Sequence, residues 1–233
     1  MKPSGPHWSQ LQERYGLKLL FIYRPLPEKV FGNSVSLPSH ISDVWRIDIL
    51  LEYGGIYCDW DLIWLKPVDS LLHYDAVADF DPTPFYSYPD ILNLGAFMAK
   101  PGAEYLKHLK RALQFYVANK DNILLYFYNA CLVPYKVYEC HPDLLKIEKS
   151  LQVICSQKRC HPIWIENFRN SSLPSGGESS DFLFKNAFSV HYTYPEPSEF
   201  ASMETLLEKQ NASFMAEIAV AILKTSGILH NKN

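Results

Sequence analysis

Two acidic residues separated by one position, Asp59 and Asp61 around Trp60, carry the clearest chemical potential in the chain. If they lie in an extended strand, their side chains share one face while Trp60 points to the other. Two carboxylates on one face repel, and a divalent cation relieves that repulsion. Hard oxygen ligands with open coordination positions suit Mn2+ or Mg2+ held together with a diphosphate. A second pair precedes the first. Asp43 and Arg46 are three apart, share a face if the segment is helical, and return toward Asp59 through Tyr53-Gly54-Gly55. A carboxylate beside a guanidinium can hold adjacent sugar hydroxyls by charge-assisted hydrogen bonds; the plainer alternative is a surface ion pair on a helix.

The elements that must position these groups are legible in the first half. Residues 17–23 are apolar, end at Arg24-Pro25, and read as a buried strand. In 39–53, Ile41, Val44, Trp45, Ile49 and Leu50 recur at helical spacing, with Gly54 where a helix end favours a left-handed residue. Residues 55–58 form a brief apolar strand that leads into the acidic pair, and 62–65 continue apolar to Lys66-Pro67. Further strands are expected at 76–81 and 91–100, and a helix at 104–117. The alternation implies an α/β fold with a mostly parallel central sheet, the acidic pair at its carboxyl edge where such folds bind ligands. Later, 122–133 and 144–149 read as helices, 170–181 as a mobile surface loop, 189–192 as a last strand and 213–224 as a closing amphipathic helix.

Composition bounds the alternatives. The chain has 233 residues, 48% of them hydrophobic, enough to fill one compact core without an evident linker or repeat. A net charge of −3 gives no footprint for a nucleic acid or an anionic membrane. The apolar stretch 17–23 is too short to span a bilayer, and 214–229 is interrupted by Glu217 and Lys224; nor does the start read as a secretory signal. Five cysteines argue against a fully stapled scaffold. Cys155 and Cys160 are spaced to close a small loop, Cys58 reads as a small core residue, and a zinc site at Cys155, Cys160 and His161 lacks a second ligand pair. Asn170-Ser-Ser and Asn211-Ala-Ser are glycosylation acceptors in a secretory lumen.

The run from Asp43 to Asp61, Asp-Val-Trp-Arg-Ile-Asp-Ile-Leu-Leu-Glu-Tyr-Gly-Gly-Ile-Tyr-Cys-Asp-Trp-Asp, closely resembles the glycosyltransferase family with a sugar-binding region containing a DXD motif. That family includes fungal initiating mannosyltransferases and animal α-1,4-galactosyltransferases. The resemblance extends more loosely over 17–117. It implies a GT-A-like nucleotide-sugar-binding fold and retaining transfer of a hexose-type sugar from a UDP- or GDP-sugar to a glycan or glycolipid, in the Golgi lumen. It further implies metal binding by Asp59 and Asp61, with Asp59, Tyr57 and Asn93 contacting the nucleotide and Asp43 and Arg46 the donor sugar. His191 resembles a late histidine of the family, although a lone histidine among apolar residues also reads as structural. No catalytic nucleophile is evident. The family's opening Ile-Pro-Lys-Ile-Ile-His-x-x-Trp strand motif is expected to lie upstream of the chain's first residue. Two rivals remain: a degenerate sugar- or nucleotide-binding domain without turnover, and a haloacid-dehalogenase-type phosphatase with Asp59 as nucleophile, which lacks its downstream Lys and Thr signals.

Overall fold

The computed structural model describes residues 4–5, 8–9, 12–13, 21–35, 38–81, 91–117, 127–156, 159–161, 186–192 and 196–229. Two four-stranded sheets carry the architecture. The first has the order β3 (Gly55–Cys58), β6 (Ile91–Ala99), β5 (Ala76–Asp81), β7 (Lys146–Ile147). The second has the order β4 (Leu62–Trp64), β10 (Ser189–His191), β8 (Val153–Ser156), β9 (Arg159–His161). A two-stranded ribbon of β1 (Lys29–Val30) and β2 (Asn33–Ser34) precedes them.

The sheets are mixed, which corrects the mostly parallel sheet expected from the sequence. β6 runs antiparallel to both β3 and β5, and only β7 joins the first sheet in parallel. In the second sheet β10 is antiparallel to β4 and parallel to β8. Alternation along the chain does not fix strand direction here, because the stretch between β5 and β6 is short and no helix-bearing crossover is required of it.

β6 explains why the first sheet is the centre of the molecule. Every one of its residues except Asn93 is buried, so the strand is an unbroken apolar run rather than an alternating one. On one side Leu92, Leu94 and Phe97 pack with residues of α1 (Pro38–Tyr53), α2 (Glu104–Ala112) and α3 (Val133–Cys140) in a single core cluster. On the other, Val77, Ala96 and Met98 meet Leu71, Leu151 and Phe188. α5 (Phe214–Thr225) covers the second sheet through Ile218 against Val153 and Val190, with α4 (Met203–Glu208) preceding it. Among the described residues no helix is long and apolar enough to cross a membrane.

α1 follows the sequence expectation closely. Val44, Ile47 and Leu50 are buried at three-residue spacing, and the helix ends at Tyr53. Gly54 has φ +65° and donates its N–H to Leu50 O at 2.9 Å, a left-handed C-terminal cap. α5 is likewise found, its first turn capped by the Ser213 hydroxyl.

Several expectations are corrected. Phe21, Ile22 and Tyr23 form no strand and are exposed, while 17–20 lie outside the described residues. Arg24 pairs with Glu52 near the end of α1. Residues 144–149 are not a helix: a 3-10 turn at Pro142–Leu144 gives way to β7, which completes the edge beside β5, so tertiary pairing overrides local preference. Cys58 is exposed rather than in the core, because β3 is an edge strand whose inward side chain is Tyr57. Of 122–133, the part from Phe127 is helical, with a π turn at Tyr128–Leu132 leading into α3; 122–126 and the loop at 170–181 lie outside the described residues. Cys155 is disulfide-bonded, which removes it as a zinc thiolate, and Cys160 stands directly opposite it on the antiparallel β8–β9 ladder.

The cap at Gly54 is tight as well as left-handed. A Cβ there would lie 2.5 Å from Pro101 Cδ and 2.7 Å from Pro101 N. Gly54→Ala is therefore expected to cost roughly 2 kcal/mol, lowering Tm by about 4–8 °C for a chain of this size, as read by thermal unfolding.

Candidate active site

Asp59-Trp60-Asp61 is not part of a strand, which corrects the shared-face argument made from the sequence. It is the turn by which the chain leaves β3 in the first sheet and enters β4 in the second. Each end is tied to a different sheet: Asp59 N–H donates to Gly95 O of β6 at 2.8 Å, and Tyr192 N–H donates to Asp61 O at 3.0 Å. The carboxylates converge because the turn is fixed at both ends.

The third member of the group arrives from β10. His191 pairs in register with Leu62, and its Nε2 lies 3.1 Å from Asp61 Oδ1. Asp59, Asp61 and His191 each present one ligand atom, all within 4.8 Å of one another. Two carboxylates and an imidazole form a donor set that fits Mn2+ and accommodates Mg2+. His191 is thereby part of the site rather than an isolated core histidine.

Beside this group lies a buried cation. Arg46 is 6% exposed, and its guanidinium reaches Asp43 Oδ1 at 3.2 Å, Asp59 Oδ1 at 3.3 Å and the Tyr57 hydroxyl at 3.0 Å. Its other terminal nitrogen donates to Leu94 O at 2.7 Å. The guanidinium carbon stands 4.0 Å from the Tyr57 ring centroid, and the Tyr57 hydroxyl donates to Asp59 Oδ1 at 2.6 Å. The helix pair is thus no surface ion pair: it is the buried scaffold that orients Asp59. Burial pushes the Tyr57 hydroxyl up to about 12, with Arg46 opposing and Asp59 reinforcing the rise, so it remains a proton donor at neutral pH.

Asp43 has one oxygen on Arg46, while its Oδ2 is buried without a hydrogen-bond partner. An acceptor left in that state costs free energy. Asn93 is the one partly exposed residue of β6; its Oδ1 accepts from Gly95 N at 2.7 Å. The structure therefore brings together Asp43, Arg46, Tyr57, Asp59, Asp61, Asn93 and His191.

Two further residues are essential to the geometry and are not singled out by the sequence. A Cβ on Gly95 would lie 2.7 Å from His191 Cε1, 2.8 Å from Asn93 Oδ1 and 2.9 Å from Asp59 Oδ2, so the site is built against a bare Cα. A glycine inside an apolar strand is the available signal for such close approach. Gln152, fully buried, bridges Asn93 and His191, and no sequence pattern marks it.

Comparison with known proteins adds to this geometry. Residues 10–78 match the family described as a glycosyltransferase sugar-binding region containing the DXD motif. The chain is also similar to Glucan organizing enzyme 1 of Cryptococcus neoformans var. grubii, 32% identical over 82 residues, which is 35% of this chain and 21% of that protein. The match thus spans about a fifth of the relative's length. No solved structure matches.

Gly95→Ala is expected to lower Tm and to displace the His191 ring resonances in NMR spectra, since three site side chains must retreat. Gly102→Ala, where nothing lies within 4 Å of the added carbon, should leave those resonances in place.

Burial also raises the Asp43 carboxyl, from 3.8 to about 6, despite the attraction of Arg46 and with help from Asp59. Between those values the folded chain keeps a proton that the unfolded chain has released. The associated stability is full below the unfolded value and lost as pH rises through the folded one. The Tm of Asp43→Asn, which cannot ionise, should therefore move in the variant's favour relative to the parent as pH rises from about 4 to about 7, on top of a pH-independent offset from its weakened contact with Arg46, as measured by paired melts.

Proposed function

We propose, from the premise that residues 10–78 are a glycosyltransferase sugar-binding region of the DXD-motif family, that the chain is the catalytic part of a metal-dependent transferase using a nucleotide-sugar donor. The observation that carries this reading is the meeting of Asp59, Asp61 and His191 within 4.8 Å beside the buried Asp43–Arg46 pair. A GT-A-like fold suits it, with the site at the end of β3 and helices packed on the sheet behind.

Asp59, Asp61 and His191 would hold Mn2+ or Mg2+. Such an ion supplies positive charge against a diphosphate leaving group. Arg46 and the Tyr57 hydroxyl fix Asp59 through its Oδ1, which leaves Oδ2 for the ion. Asp43 would meet a hydroxyl of the donor sugar through the exposed part of its side chain, and the ion pair with Arg46 keeps that carboxylate oriented. Asn93 and Tyr57 border the same space and would meet the nucleotide. Transfer with retention of configuration, a hexose-type sugar, UDP or GDP as the nucleotide, and a glycan or glycolipid acceptor complete the proposal. A Golgi lumen setting is supported by the disulfide at Cys155, since disulfides persist in oxidising compartments, and by the exposed Asn211 of its Asn-Ala-Ser triplet.

The test is a calorimetric Mn2+ titration with and without UDP or GDP on the parent, Asp59→Asn and Asp61→Asn, beside an assay of sugar-nucleotide hydrolysis. Each substitution removes a charged ligand, so Mn2+ affinity should drop by at least about tenfold, given that even outer-sphere partners are worth 10- to 100-fold. A parent that binds no Mn2+ with nucleotide present would overturn the reading. Metal binding without hydrolysis or transfer would make the chain a binding domain.

A further inference from the structure

Gln152 is 0% exposed and bonds on both sides. Its Nε2 donates to the Asn93 carbonyl oxygen at 3.2 Å, and its Oε1 lies 3.3 Å from His191 Nδ1. A backbone carbonyl can only accept. The amide must therefore present its NH2 to Asn93, which turns its oxygen toward the imidazole and settles the orientation of the side chain. An amide oxygen also only accepts, so the contact to Gln152 is a hydrogen bond when the His191 Nδ1 carries a proton.

The backbone around Gln152 gives it little freedom to do otherwise. Phe188 N–H donates to Ser150 O at 2.8 Å, the Ser189 hydroxyl donates to Leu151 O at 2.7 Å, and His191 stands in parallel register with Ile154 of β8. The residues on either side of Gln152 are pinned to the strand that carries His191.

With Nδ1 protonated, the neutral ring directs its Nε2 lone pair at Asp61 Oδ1, 3.1 Å away. In that tautomer an acceptor faces an acceptor, which a shared cation relieves; without a cation Asp61 competes with Gln152 for the ring proton. Neutral imidazole in water favours the opposite tautomer, with the proton on Nε2, which would block ligation from that nitrogen. We propose that Gln152 is a positioning residue that holds His191 in the Nδ1–H tautomer, so that Nε2 is available with Asp59 and Asp61 to a divalent cation. The inference rests on the metal reading of the site proposed above, and it assigns Gln152 a role that its burial alone would not require.

Two measurements test it. In the chain saturated with diamagnetic Mg2+, long-range 15N–1H correlation reads the tautomer of His191 directly. The parent should show Nδ1 protonated. Gln152→Met, similar in volume but unable to accept from the ring, should shift His191 toward the Nε2–H form and weaken Mn2+ binding by about 10- to 100-fold in calorimetry. Gln152→Glu restores an acceptor toward Nδ1 and should recover the Nδ1–H form and much of the Mn2+ affinity, which a purely structural bridge between strands would not do, because the carboxylate repels the Asn93 carbonyl. An Nε2–H ring in the Mg2+-saturated parent overturns the proposal without any variant having to fold. So does unchanged Mn2+ affinity in Gln152→Met while the parent binds the ion, a result that leaves the metal reading intact. A parent that binds no Mn2+ overturns both, whatever the tautomer.

Discussion

Two backbone hydrogen bonds govern the rest of this structure: Asp59 N–H to Gly95 O, and Tyr192 N–H to Asp61 O. Each is worth only about 0.5–1.5 kcal/mol net. Their importance is geometric, for they fasten a three-residue turn to two different sheets. The carboxylates of Asp59 and Asp61 then have little choice about where they point, and the histidine adjacent to one anchor falls beside them. Gly95 belongs to the same constraint, since the carbonyl that receives Asp59 sits on the residue whose bare Cα makes room for the site.

Arg46 is the electrostatic counterpart of that clamp. A guanidinium taken almost wholly out of water needs compensation, and it receives two carboxylates, a phenolic oxygen, a backbone carbonyl and an aromatic face. Removing any one partner would leave a buried charge less satisfied. The arrangement makes α1, β3 and β6 interdependent through a single side chain, so the helix does more than pack against the sheet: its polar residues fix the orientation of the acidic turn.

The first half of the chain announces its fold because its signals are local. α1 and its glycine cap follow from apolar spacing and from one left-handed position, and the strands from 55 to 99 follow from short apolar runs. Strand direction is not local, and the mixed sheets show why: β6 turns back between β3 and β5, which no periodicity encodes. The same limit explains 144–149, where a helix-like pattern becomes β7 because an edge beside β5 is there to be paired. At the site, Asp43, Arg46, Tyr57, Asp59 and Asp61 stand out by type and spacing, yet the reason first given for the acidic pair, a shared strand face, is replaced by a turn held at both ends. His191 was legible only as a resemblance, and Gln152 not at all, since a buried amide has no signature until its two partners are known.

The turn that joins the sheets has a consequence for the order in which the molecule assembles. Asp59 and Asp61 are made early in the chain, whereas His191 and the anchor at Tyr192 come near its far end, on a strand that pairs with β4 and β8. Contacts of such long sequence separation close late, after the loop entropy between them has been overcome. A growing or partly unfolded chain therefore carries both carboxylates without the imidazole or the second anchor, and has little grip on a cation. On the metal reading proposed above, competence for an ion is a property of the finished fold, since a chain that has not joined its two sheets lacks the assembled ligand set.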